Sequence, residues 1–306
     1  MHQLPLPRIA LYEAWQLPRP LRWLPVQRAT GPVDVIHATT SAIPPKSAPL
    51  VVTVHDLAFL REPTHFTKHG LRFFRRGLAL TRSDADLVLV PSRATLTDCV
   101  AAGIAENRLR LIPHGVSVPD VDSAHVADFR SRYGISGRYV LWCGTLEPRK
   151  NVPALVSAFA ALRRDDPNLE LVLVGPSGWG DVEVEPRDGV RLLGFLPTGD
   201  LHAAYAGATA FCYPSLREGF GLPALEAMAH GVPVVTTAGS AMAEFVEGAG
   251  ILVDPLDVSA LSAALAAALG DRHDGLAEAA LARAAEYSWD RVAELTVAAY
   301  REAIEQ

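Results

Sequence analysis

The sequence predicts an α/β protein of two domains, each built around a parallel sheet. Three observations carry that prediction. Short apolar, β-branched runs alternate with longer amphipathic segments almost throughout the chain, the pattern of strands buried on both faces with helices between them. The 306 residues suffice for two domains of ordinary size, and 49% hydrophobic with 20% charged residues argues against a disordered chain. Charge is unevenly spread: residues 1–120 hold 14 Lys+Arg against 9 Asp+Glu, while the remainder holds 14 against 25. Opposite signs in the two halves point to two domains with different partners.

Taken in order, the first four strands are expected at VDVIH, PLVVTVH, ADLVLVPS and RLRLIPH. Six more are expected at RYVLWCG, LELVLVG, VRLLG, ATAFCYP, VPVVTT and GILVD. The segment HGVSVPDVDS, residues 114–123, holds turn formers without periodicity and reads as the linker. The closing SWDRVAELTVAAYREAIEQ reads as a capped amphipathic helix. The stretch THFTKHGLRFFRRGLAL, residues 64–80, has helical spacing that gathers Lys68, Arg72, Arg75 and Arg76, with Phe73, Phe74 and Leu78 as apolar anchors. A basic amphipathic helix of this kind can lie on an anionic bilayer, or it can pack its phenylalanines on the sheet with its charges in water. No apolar run approaches the ~18 residues of a membrane span. The N-terminal MHQLPLPRIALYEAWQLPRP is broken by prolines and is not expected to be a signal peptide. Cys99, Cys143 and Cys212 lack any paired spacing, which suggests a reducing compartment, most simply the cytoplasm.

In open parallel sheets, ligands bind outside the carboxyl ends of the strands. His55-Asp56, Ser92, His114, Gly144-Thr145, Gly175 and Ser215 through Glu218 all follow a strand and fall on that edge. Asp84 and Asp86 precede theirs, so they read as a solvated turn rather than a metal pair, and no metal site is expected.

The stretch SLREGFGLPALEAMAHGVPVV, residues 215–235, concentrates the chemistry. A glycine-containing loop leads into a helix at Pro223, so the amides of Gly219, Phe220, Gly221 and Leu222 can face an anion in the field of a helix N-terminus. Glu218 and Glu226 flank that loop, and a carboxylate binds vicinal hydroxyls well because it presents two acceptor oxygens. A ligand with both phosphate and hydroxyl-rich rings satisfies both features, and a sugar nucleotide is such a ligand. Arg149 and Lys150, between a strand and the helix near Val152, offer counter-charge for a diphosphate.

At this point EGFGLPALEAMAHGVPVV resembles the E-x7-E signature of the retaining, nucleotide-sugar-dependent glycosyltransferases of family 4, which have the GT-B fold. The resemblance extends to GTLEPRKN, LVGPSGWG, GFLP, AFCYPSLREGFG, the closing helix and, in the first half, VTVHDLAFLREP. It implies two Rossmann-like domains facing a cleft. The N-terminal domain would occupy residues 1–118, the nucleotide-sugar domain 119–287, and a helix at 288–306 would cross back onto the first domain. It implies that Arg149 and Lys150 hold the donor diphosphate, near Gly144 and Thr145, and that Glu226 holds the ribose hydroxyls. Glu218 would contact the transferred sugar with help from the Gly219–Leu222 amides, and His55 would face the sugar and leaving group. First domains of this family usually open with a strand, a glycine-rich turn and a helix; none precedes VDVIH here, so a shortened N-terminal domain is expected.

The function expected is transfer of a hexose with retention and without metal or other cofactor. The donor would be GDP-mannose first and a UDP-sugar second; the acceptor would be a glycan or lipid-linked sugar. Contact with an anionic membrane would be peripheral, and nucleic acid is not an expected partner. Two other readings are a sugar-nucleotide-binding protein without transferase activity, for want of the N-terminal unit, and a glycoside hydrolase using Glu218 and Glu226 as acid and base. The hydrolase leaves the glycine loop and Arg149-Lys150 without a purpose.

Overall fold

The computed structural model describes residues 4–17, 22–178 and 187–306, with the side chain of His65 left aside. The chain divides into two compact units: residues 1–113 with 290–306, and residues 114–289. Trp179 and Gly180 of LVGPSGWG lie outside the described residues.

All ten expected strands are present among the described residues. The first unit holds β1 (Ile36–Ala38), β2 (Leu50–Thr53), β3 (Leu87–Val90) and β4 (Leu109–Leu111), paired in parallel in the order β1-β2-β3-β4. Val51, Leu87 and Leu89 have essentially no exposure and pack with Ala299 and Ala303 of the closing helix Trp289–Glu305. That helix is tied to the same sheet by polar contacts. His37 on β1 bridges Tyr300 Oη and Thr53 Oγ1, at 2.7 Å each, and Arg110 Nε donates to Glu302 Oε2 at 2.8 Å. Burial, and secondarily the neighbouring His55, lowers the pKa of His37.

One alternative is decided in this unit and one expectation needs correction. The helix gathering the basic residues runs Lys68–Asp84, capped by Thr67, whose hydroxyl accepts from Gly70 N at 3.1 Å. Of the two alternatives for its phenylalanines, packing against protein is the one found. Phe74 stacks on Phe59 (5.4 Å between centroids) and meets Phe66 edge-on, while Phe73 leans on Tyr12. Only the cationic side of the helix faces water: Lys68, Arg72, Arg75 and Arg76 are exposed. Asp84, expected in a solvated turn, is instead 3% exposed and ion-paired with the Arg22 side chain, while Asp86 Oδ2 accepts from Leu50 N at 2.7 Å.

The second unit holds β5 (Tyr139–Cys143), β6 (Glu170–Val174), β7 (Val190–Gly194), β8 (Ala210–Tyr213), β9 (Val234–Thr237) and β10 (Ile251–Val253). All pair in parallel, in the order β10-β9-β8-β5-β6-β7. Every residue of β6, β8 and β9 is buried, which is why their sequences run apolar without alternation. The order places a reversal at the centre. The chain leaves β5 outward through β6 and β7, then returns to the other side of β5 as β8. The crevice outside the carboxyl ends of β5 and β8 is thus the topological switch point of this sheet, where open α/β sheets bind ligands. Among the described residues no helix is long and apolar enough to cross a membrane.

Candidate active site

Two loops emerge at the switch point. After β5 the chain turns through Pro148–Lys150, passes Asn151 in a left-handed conformation and enters the helix Val152–Asp165. After β8 it runs through Pro214–Gly221 into the helix Leu222–Ala229. Backbone bonds stitch the loops together: Leu216 N donates to Arg149 O at 2.8 Å, and Arg149 Nη1 donates to Arg217 O at 2.9 Å.

This brings three expected residues into direct contact. Lys150 Nζ donates to Glu218 Oε1 at 2.6 Å, and Arg149 Nη1 donates to Glu218 Oε2 at 2.9 Å. Lys150 also donates to Tyr213 Oη at 2.6 Å, and Arg149 Nη2 lies 2.8 Å from Glu147 Oε1. Side-chain exposure is 8% for Lys150 and 9% for Glu218, so the charges are largely shielded from water. Burial pushes the Glu218 carboxyl up, but Lys150 and Arg149 outweigh it and hold the group below the ordinary carboxylate range. Two cations and two carboxylates therefore neutralise one another in a partly enclosed crevice. An anion placed beside Arg149 and Lys150 would compete for them with both Glu218 and Glu147.

The loop beyond supplies neutral donors. Among the described residues, no acceptor takes the backbone N–H of Phe220, Gly221 or Leu222, the unpaired amides expected at a helix start. Gly221 has φ +100°, and a Cβ there would stand 2.4 Å from Met242 Cγ, so only glycine fits this turn. Phe220 is buried under the loop against Phe245 at 5.0 Å and His114 at 5.1 Å, which anchors the amides to the core.

The second glutamate has a different set of partners. Glu226, on the inner turn of the helix, accepts from Tyr205 Oη through Oε2 at 3.0 Å. Burial raises its pKa, partly offset by that hydrogen bond. Gly144 and Thr145 are half-buried in the loop after β5. Gly144 lies close against the core, where a Cβ would meet the Trp142 ring at 3.3 Å. Gly175 has φ +135° and packs directly on the Gly144 backbone. His55 belongs to the first unit; it is exposed at the end of β2, with Nε2 3.0 Å from Thr39 O.

Tyr213, Tyr205 and Glu147 are participants that the sequence reading missed. Tyr213 lies on a strand buried at every position, so no periodicity separates a site tyrosine from a core one. Glu147 sits inside GTLEPRKN beside the two cations, and a carboxylate next to paired cations in a strand-to-helix turn is the signal that was there to use.

Comparison with known proteins adds the following. Residues 137–271 match the family model "Glycosyl transferases group 1", and residues 2–119 match "Glycosyltransferase Family 4". The chain is 32% identical over 286 residues to O-antigen chain mannosyltransferase B of Escherichia coli, covering 87% of this chain and 74% of that one. It is 31% identical over 304 residues to the MMP alpha-(1->4)-mannosyltransferase of Mycolicibacterium hassiacum, covering 90% and 72%. Among solved structures, Anabaena Alr3699/HepE in complex with UDP-glucose superposes with a TM-score of 0.73 at 23% identity, over 89% of this chain and 79% of that one.

Proposed function

We propose the reaction of this chain from the premise that it belongs to the glycosyltransferases of family 4, with a group 1 donor domain: it transfers a hexose, mannose first, from a nucleoside diphosphate to a glycan or lipid-linked acceptor. The observation that carries the proposal is the meeting of Arg149, Lys150 and Glu218 at the switch point, beside the open amides of Phe220 to Leu222. Breaking the bond from sugar to diphosphate builds negative charge on the leaving oxygens. Fixed donors in a shielded site stabilise that charge more than water does. Arg149 and Lys150 supply charged donors and the loop amides supply neutral ones, so we propose that no metal is required. Glu218, displaced from the cations by the diphosphate, is assigned to the hydroxyls of the transferred sugar, and Glu226 to the ribose. The diphosphate leaves from the face that the acceptor attacks, so configuration is retained and Glu218 forms no covalent bond. His55 is assigned to the sugar and leaving group. His55→Ala is therefore expected to keep nucleotide binding and lose transfer.

GDP-mannose is the first donor proposed, because the two relatives compared above, aligned over 87% and 90% of this chain, are named mannosyltransferases; a UDP-sugar is the second. Thermal shift with GDP, UDP and their sugars tests the reading. A true donor at a hundredfold excess over Kd stabilises by ~2.7 kcal/mol. Flat melting curves across that panel would overturn it. Product anomer by NMR, with and without EDTA, tests retention and metal independence.

Membrane contact is proposed through charge. Lys68, Arg72, Arg75 and Arg76 surround Leu71 and Ala79 on the open side of their helix, and none has an acidic partner among the described residues. With the phenylalanines half-buried against protein, attraction to an anionic bilayer rests on charge, about 1 kcal/mol per cation near the surface. Binding is thus peripheral and salt-sensitive. Co-sedimentation with anionic vesicles at low salt, lost in Lys68/Arg72/Arg75/Arg76→Ser, is the expected result; equal pelleting of both proteins refutes it.

A further inference from the structure

Tyr205, on the helix Thr198–Ala206, has no solvent exposure. A buried phenol needs a partner, and phenylalanine would fill nearly the same volume without that demand. The partner here is Glu226: Tyr205 Oη donates to Oε2 at 3.0 Å. The ring has little room to move. It stacks on His230 at 5.8 Å with 10° between planes, and lies 5.7 Å from Phe211 on β8. His230 in turn is 3.0 Å from His202 on the same helix as Tyr205. A fixed ring fixes the hydroxyl, and the hydroxyl fixes one oxygen of Glu226. The other oxygen, Oε1, has no hydrogen-bond partner among the described residues. Glu226 is thus a carboxylate anchored at one oxygen and open at the other. A glutamate side chain held this way loses less rotamer freedom on binding a ligand than a free one.

We propose that Tyr205 is a positioning residue for nucleotide recognition: by gripping Oε2 of Glu226 it aims the open oxygen at the vicinal hydroxyls of the donor ribose. The proposal rests on the donor-site reading above, in which Glu226 binds ribose. Tyr205 touches no substrate itself; it acts through Glu226.

The test compares a nucleoside diphosphate with its 2′,3′-dideoxy form by calorimetry, using whichever of GDP and UDP the unmodified protein binds more tightly. The unmodified protein is expected to favour the ribo form by about tenfold or more, the scale of a charged hydrogen bond. Tyr205→Phe keeps the ring and its stacking on His230. It is expected to cut that preference to about two- to threefold while leaving dideoxy affinity unchanged. Glu226→Gln is expected to lose most of the preference, and adding Tyr205→Phe to it should change nothing further. Were Tyr205→Phe to weaken both ligands alike with the preference intact, Tyr205 would be a packing residue and the proposal would fall alone. Were the unmodified protein to show no preference for the ribo form, the assignment of Glu226 to ribose would fall, and this proposal with it.

Discussion

Glu218→Gln is expected to separate phosphate binding from sugar transfer, because in the structure the carboxylate occupies the two cations proposed above to hold the diphosphate. Glu218 takes two charge-assisted hydrogen bonds, from Lys150 at 2.6 Å and Arg149 at 2.9 Å. Such bonds net about 1.5–3 kcal/mol each, so a nucleotide that replaces Glu218 forfeits about 3–6 kcal/mol before its own contacts count. Much of this returns as the released carboxylate is solvated or re-paired, leaving a net competition of about 1–2 kcal/mol. Glutamine keeps the shape and one acceptor for Lys150 but loses the charge. The expected outcome is a Kd for GDP or UDP about 5–30-fold lower than in the unmodified protein, by calorimetry at ~0.15 M salt. Transfer should fall at the same time, since the contact to the sugar is weakened. Free of ligand, the variant should melt earlier, because Arg149 and Lys150 lose a buried counter-charge and keep Glu147. Saturating nucleotide should close that gap. Unchanged or weaker nucleotide affinity in a folded Glu218→Gln protein would refute the assignment of Arg149 and Lys150 to the diphosphate.

Three further outcomes are expected. Gly221→Ala forces a side chain into φ +100° and onto Met242, so unfolding free energy should drop by about 2–4 kcal/mol in chemical denaturation, with weaker nucleotide binding; a silent substitution would mean the turn is misassigned. Glu170 is 4% exposed; burial opposes its charge, but the Gly137 and Ser136 amides and Arg191 outweigh burial and lower its pKa. A lowered carboxylate pKa stabilises above the unfolded value and is lost as pH falls through the folded value. Glu170→Gln should therefore be destabilised at pH 7 by about 2–4 kcal/mol, with the gap closing below pH ~4, and a pH-independent gap would contradict the charge argument. Burial, and then His202, drive His230 down to about 4 from its ordinary 6.5. The unfolded chain binds the proton first, so stability is lost as pH falls between those values; His230→Gln should flatten that part of a Tm-against-pH curve.

Strand positions were legible in the sequence because strands covered by helices on both faces must be apolar at consecutive positions, and runs such as LELVLVG and VPVVTT show this locally. The loops of the site were legible for a related reason. Glycine, proline and paired charges have few uses together except at a turn that approaches a ligand, so GTLEPRKN and EGFGLPALE stand out from the apolar background. Strand order is different in kind: it depends on which edge of β5 each returning strand reaches, and local composition carries no record of that. Only the tertiary structure put β8 beside β5 and so brought Arg149 and Lys150, 68 residues or more before it in the chain, onto Glu218. The same holds for the phenylalanines at 73 and 74. Helical spacing shows that a helix has an apolar side, but whether that side meets lipid or protein is decided by what lies opposite, here Phe59, Phe66 and Tyr12. Tyr205 was equally hidden, because a buried tyrosine and a buried phenylalanine look alike in hydropathy until the structure shows the carboxylate at the end of the ring.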